Sequence, residues 1–113
     1  MGGGQRNSAT GIYATVAGGV ANTASGDYST VSGGYGNQAL GQLSWAGGIS
    51  ATAAHDGSFV WKDSVGGTYA STGANQFRVM ANGGTYFDGG TVSISSALNI
   101  GSIVIAPTGV SVP

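Results

Sequence analysis

Small and apolar positions recur along the first half of the chain with a period that neither one helix nor one strand produces. Residues 3–17 read GGQRNSATGIYATVA, residues 18–32 GGVANTASGDYSTVS, residues 33–46 GGYGNQALGQLSWA (one residue shorter), and residues 47–61 GGISATAAHDGSFVW. The shared pattern is Gly-Gly-x-x-Asn-x-Ala-x-Gly-x-Tyr-Ser-Thr-Val-x. Asn7, Asn22 and Asn37 align in one column, with Ala51 in the fourth copy. Ala9, Ala24, Ala39 and Ala53 form a second column, and Gly11, Gly26, Gly41 and then His55 a third. A repeat of this size is one supersecondary unit that buries its apolar positions by stacking on its neighbours.

The period sets the geometry. Fifteen extended residues reach about 50 Å, and the Gly-rich corners consume part of that length. Two strands of about four or five residues remain per turn, so the pattern predicts a flattened, two-sided β-roll with turns about 4.8 Å apart. Gly-Gly marks one corner, and the Asn-x-Ala-x-Gly stretch leads to the other. In the strand after it, Tyr13 and Thr15 are expected to oppose Ala14 and Val16, and Tyr28 and Thr30 to oppose Ser29 and Val31. Small or apolar residues on both faces describe a strand covered on both sides. One face fills the roll; the other needs a partner, and a second copy of the chain is the most direct one.

After residue 61 the repeat stops. Lys62-Asp63-Ser64 stands where a Gly-Gly corner is due, and residues 64–75 read as a loop or irregular strand. Gln76–Ala81 alternates, and Asn82-Gly83 is a strong hairpin signal. Thr85-Tyr86-Phe87 is then expected to be the returning strand, ended by Asp88-Gly89-Gly90. Val92, Ile94, Leu98, Ile100 and Val104 share one parity, with Ile103 and Ile105 on the other. The organisation expected is a β-roll of about four turns over residues 1–61, a closing segment with a hairpin over 62–90, and a C-terminal strand region over 91–113.

Composition narrows the class. Gly, Ala, Ser and Thr make up 62 of the 113 residues, while Leu, Ile, Val and Phe supply only 22. Net charge is −1, so the high charge that marks disorder is missing. Without Glu and with one Lys and three Leu, the chain lacks the residues of a helical bundle. Three cationic side chains cannot neutralise a phosphate backbone, which argues against a nucleic-acid partner. No apolar run approaches the roughly 20 residues of a membrane helix, so no membrane insertion is expected. The absence of Cys removes a thiol nucleophile and a disulfide framework. So few large side chains make a thin core, and oligomerisation is expected to supply further burial.

The repeat resembles the head β-rolls of trimeric autotransporter adhesins. It resembles still more the Gly-Gly-x-x-Asn-x-Ala-x-Gly-x-Tyr-Ser repeats of bacteriophage tail-fibre-like proteins and bacterial surface fibres. HDGSFVWKDS (residues 55–64) followed by GANQFRVMANGG (residues 73–84) is similar to the segment that closes such arrays. The resemblance covers residues 3–87. It implies left-handed parallel rolls, three chains sharing one axis as a homotrimeric fibre head, intertwined strands beyond, and an extracellular, cell-surface or virion setting. It also implies attachment to a glycan or surface protein of a target cell. Neither a trimerising chaperone domain nor a coiled-coil stalk is found here, which suits a fibre-type protein or an excised fragment.

Catalytic chemistry has little to draw on. His55 beside Asp56 suggests acid–base work or half a metal site, but its place in the glycine column favours a structural corner, where positive φ is tolerated by His. Asp27 and Asp56 are expected two turns and about 10 Å apart, near the upper limit for an inverting glycosidase pair, but both at exposed corners beside Gly where no cleft is implied. The expectation is therefore no enzyme, no metal and no cofactor. Thr15 with Thr30, and Thr23 with Thr52 interrupted by Gln38, are columns too short for an ice-binding face. Aromatic side chains are the better candidates for contact. Trp45, Phe59 and Trp61 come late in the array, where they either plug the end of the roll or, with Tyr35 beyond its Gly-Gly corner, offer ligand-binding surface. Tyr35, Trp45 and Trp61 are the ligand candidates; Gly11, Gly26, Gly41 and His55 are the corner residues. The function expected is a trimeric fibre or adhesin segment, with a plain fibre spacer and a polysaccharide-cleaving tailspike as alternatives.

Overall fold

A computed structural model describes residues 1–101. Ten short strands alternate between two five-stranded sheets, all paired in parallel. One sheet stacks β1 (Ser8–Ala9), β3 (Thr23–Ala24), β5 (Gln38–Ala39), β7 (Ala51–Ala53) and β9 (Tyr69–Ala70). The other stacks β2 (Thr15–Val16), β4 (Thr30–Tyr35), β6 (Trp45–Ile49), β8 (Phe59–Lys62) and β10 (Phe77–Met80). Each pair is one turn of a β-solenoid, and there are five turns. Among the described residues there is no helix.

The register follows the repeat. Ser8 pairs with Thr23, Thr23 with Gln38 and Gln38 with Thr52, while Thr15 pairs with Thr30 and Thr30 with Trp45. The interior is two facing columns. Val16, Val31, Ala46 and Val60 line one sheet and Ala24, Ala39 and Ala53 the other, all fully buried. Facing valine to alanine keeps the interior narrow and filled, which is the packing a two-sided coil of small residues can reach.

The corner before each alanine strand is held by asparagine. Asn22 is fully buried; its Nδ2 donates to the Gly18 and Gly34 carbonyls at 2.9 and 3.0 Å, and its Oδ1 accepts the Asn37 backbone N–H at 3.0 Å. Asn7 and Asn37 repeat the arrangement one turn below and above, Asn37 Oδ1 accepting the Ala51 N–H at 2.9 Å. Each side chain thus bonds its own turn and the turn above, and Asn37 Nδ2 also donates down to Asn22 Oδ1. The ladder stops at Ala51, which has no carboxamide to pass on the bond, and Ala51 pairs with Tyr69 of the next turn.

The glycine column has a steric cause. A Cβ on Gly11 would run into the Gly26 carbonyl, one on Gly26 into the Gly41 carbonyl, and one on Gly41 into the His55 backbone. None of Gly11, Gly26, Gly41 and His55 has a positive φ, so the left-handed reading of that column is corrected. Positive φ falls two residues later, on Tyr13, Tyr28, Leu43 and Gly57. The tyrosines are therefore corner residues, and their strands begin at Thr15 and Thr30.

The array also runs further than the repeat suggests. The hairpin across Asn82-Gly83 does not form. β10 pairs in parallel with β8, Phe77 with Phe59 through Met80 with Lys62, and makes the outer strand of a fifth turn. The apolar alternation of 76–81 is that of a solenoid edge strand. Thr85-Tyr86-Phe87 and residues 91–101 carry no strand, and Tyr86, Phe87, Val92, Ile94, Leu98 and Ile100 are exposed. The strand pattern expected at Ile103, Val104 and Ile105 lies outside the described residues.

Asn22→Ala would strand the buried Asn37 N–H and the half-buried Gly18 carbonyl, each unsatisfied group costing about 1–3 kcal/mol, while the Gly34 carbonyl keeps the Val20 N–H. A loss of about 2–4 kcal/mol is expected from urea denaturation. Asn7→Ala, at the half-exposed first turn, should cost clearly less.

Candidate functional site

The outward face of the second sheet carries an aromatic ladder. In-register stacking sets Trp45, Phe59 and Phe77 one above the other. Trp45 and Phe59 lie 4.1 Å apart between ring centroids with planes 5° apart, and Phe59 and Phe77 4.7 Å apart at 14°. Gly47 makes this possible: a side chain there would strike the Trp45 ring. Trp61 is aligned with Gly47 on the same face and is half-buried, as is Trp45. The stacking covers both faces of Phe59 and one of Trp45. The ladder therefore presents ring edges sideways and one open ring at its end, Phe77, 73% exposed.

A second row runs along the adjoining corner. Tyr13, Tyr28 and Leu43 occupy successive turns, and the two tyrosine rings stack at 5.3 Å. All three are largely exposed, as is Ile12 beside them. Each backbone sits in the left-handed region, at φ 57°, 57° and 56°. An L-residue there costs about 1–2 kcal/mol, which Gly avoids.

Tyr35 stands apart from both rows. It ends β4, stacks between Val20 and Ile49 at the Gly-Gly corner, and is exposed. The three ligand candidates are thus not brought into one site: Trp45 and Trp61 share a face, and Tyr35 lies at the opposite end of the strand. The first sheet presents Ser8, Thr23, Gln38 and Thr52 outward, a polar face.

The charged groups tie turns together. Asp27 Oδ1 accepts the Ile12 N–H at 2.9 Å and Asp56 Oδ1 the Gln42 N–H at 2.8 Å, each bonding the turn below. His55 Nδ1 lies 2.8 Å from Ser71 Oγ, which also accepts the Ala54 N–H. Among the described residues no three of His, Asp or Glu converge as metal ligands would. At the top of the solenoid Arg78 lies level with Val60, donates to the Ala70 carbonyl at 2.7 Å and covers the Tyr69 ring at 4.6 Å. Lys62 is buried, its Nζ donating to the carbonyls of Asp63 and Val65. Asp63 accepts the backbone N–H groups of Asn82 and Val65 and the Asn82 carboxamide. These bonds, the Asn82 N–H foremost, hold its carboxyl below the usual value.

Neither the protein families, nor the curated proteins, nor the solved structures compared with this chain gave a match.

The aromatic edge was only partly legible. Trp45, Phe59 and Trp61 stand out by type. Phe77 was hidden by the lengthened fifth turn, and the Tyr13–Tyr28–Leu43 row was visible as a column but placed in a strand.

Because the Asp63 carboxyl is held low, its clamp is fully present above its unfolded pKa, near 3.8, and is lost as pH falls below that through the folded value. The Val65 and Asn82 amide resonances should titrate together in that acid range. In Asp63→Asn this transition should be absent.

Proposed function

We propose that the chain is a segment of a homotrimeric extracellular fibre or adhesin, structural in its solenoid and attaching to a cell-surface glycan or protein. The observation that carries the reading is the one-sided surface. One sheet is polar outside, whereas the other, with its corner, sets Tyr13, Tyr28, Leu43, Trp45, Phe59, Trp61 and Phe77 on one flank of a nearly uncharged solenoid. A continuous exposed apolar flank of this kind marks an interaction surface. Three chains around an axis parallel to the solenoid would bury it and leave the polar sheets outward. The rolls are left-handed in this reading, as in the proteins the repeat resembles. Three copies of a face of Ser8, Thr23, Gln38 and Thr52 would then bind weakly and multivalently, and avidity would supply the attachment strength.

A plain spacer is the second reading. It is favoured by the ladder itself, because stacked rings spend their faces on one another and leave little for a sugar to lie on.

Light scattering on the eluting protein should give about three times the 11.0 kDa of one chain. A folded species of single-chain mass at all concentrations would overturn the trimer. If the trimer forms, binding on a glycan array or to whole cells separates adhesin from spacer.

A further inference from the structure

The corner row sets large side chains where the backbone disfavours them. In one left-handed column, the turns use Arg6, Ala21, Gly36 and Ser50, small or polar residues. In the other they use Tyr13, Tyr28 and Leu43, and then Gly57 at φ 68° and Asn75 at φ 59°. Gly and Asn are the residues this conformation favours. Turns four and five show that the corner closes with them. Apart from the Tyr13–Tyr28 ring stack, the two tyrosines and the leucine gain little inside the single chain: they are 77%, 57% and 69% exposed. Backbone strain retained for so small a gain in the fold points to a role outside it.

We infer that the Tyr13–Tyr28–Leu43 row, with Ile12, is the contact line through which copies of this chain meet along their common axis. This rests on the homotrimer reading and names the surface it uses. The occupant follows from the geometry. One residue per turn at one corner makes a straight row parallel to the solenoid axis. Such a row is matched by the same row on copies arranged about an axis parallel to it, three of them in the reading proposed above. Charge does not oppose the approach. The nearest carboxylate, Asp27, is turned onto the Ile12 N–H. Exposure of Ile12, Tyr13, Tyr28, Leu43 and the ladder's end ring Phe77 leaves about 600 Å² of side-chain surface per chain to divide between two neighbours, so the row is the centre of the contact and the flanking ladder must widen it toward the roughly 800 Å² per partner of a stable interface.

The test uses residues the same corner already accepts. Tyr13→Asn, Tyr28→Asn and Leu43→Asn are combined in the full chain. The variant should keep the β-rich circular dichroism of the wild type while its mass in light scattering falls from about three times 11.0 kDa to 11.0 kDa. A variant that stays trimeric at the wild-type dissociation concentration would overturn the row as the contact line and leave the trimer standing. A wild type that is itself monomeric would remove the trimer reading instead. The chain has no cysteine, so single substitutions give an independent readout. Under mild oxidation Tyr28→Cys should form an interchain disulfide, and Thr23→Cys on the polar sheet should not. The reverse pattern, or no crosslink at residue 28 in a trimeric sample, would overturn the proposal even if the triple variant failed to fold.

Discussion

Stacking of one turn on the next is the constraint on which the rest depends. Nearly every backbone bond between strands runs to a residue one turn away, not to a neighbour in sequence. Thr15 donates to Ser29, Thr30 to Ser44, Trp45 to Ser58 and Phe59 to Gln76. A turn on its own buries almost nothing, because its interior is a valine facing an alanine. Stability must then grow with the number of turns, and each added turn satisfies the polar edge of the last. The buried asparagines strengthen this coupling where strand pairing lapses at a corner. Asn22 does so by bonding its own turn at Gly18 and the next turn at Gly34 and Asn37.

Such tight stacking leaves little room for side chains at the corners, and the composition follows from that. Gly11, Gly26 and Gly41 are glycine because the backbone above each lies where a Cβ would be. Gly47 is glycine so that Trp45 can lie across it. Bulk is consequently displaced to the outside, onto the columns of one sheet and the corners at its two ends. The apolar flank is thus a product of the architecture: a solenoid of small residues has no interior place for Trp45, Phe59, Trp61 or Phe77.

The top of the array is finished differently from its middle. In place of a fifth apolar layer, Arg78 lies over the last core residue and bonds the Ala70 carbonyl, while Lys62, Asp63 and Asn82 knot the ends of the last two turns together. Four of these residues are charged or strongly polar in a chain with only seven charged side chains. Their concentration here satisfies backbone groups that no further turn covers and discourages unspecific pairing along an open β-edge.

By itself the sequence determined the two-sided roll, its parallel register and its glycine and asparagine corners, because a fixed period forces like residues into columns. Thr23, Gln38 and Thr52 pair as that period demands. What only the tertiary structure decided is where the period is broken yet stacking continues. The fifth turn spans three more residues than a regular one, so Phe77 joined the ladder through space and not through spacing. The same holds for Tyr13 and Tyr28. Alternation along a strand suited them, but the chain turns there: the Ala14 and Ser29 N–H groups bond back to the Gly11 and Gly26 carbonyls, and Tyr13 and Tyr28 take the left-handed third position of those turns. Local pattern records which residues share a column; the direction each side chain takes is set by how the backbone must bend to lay one turn on another.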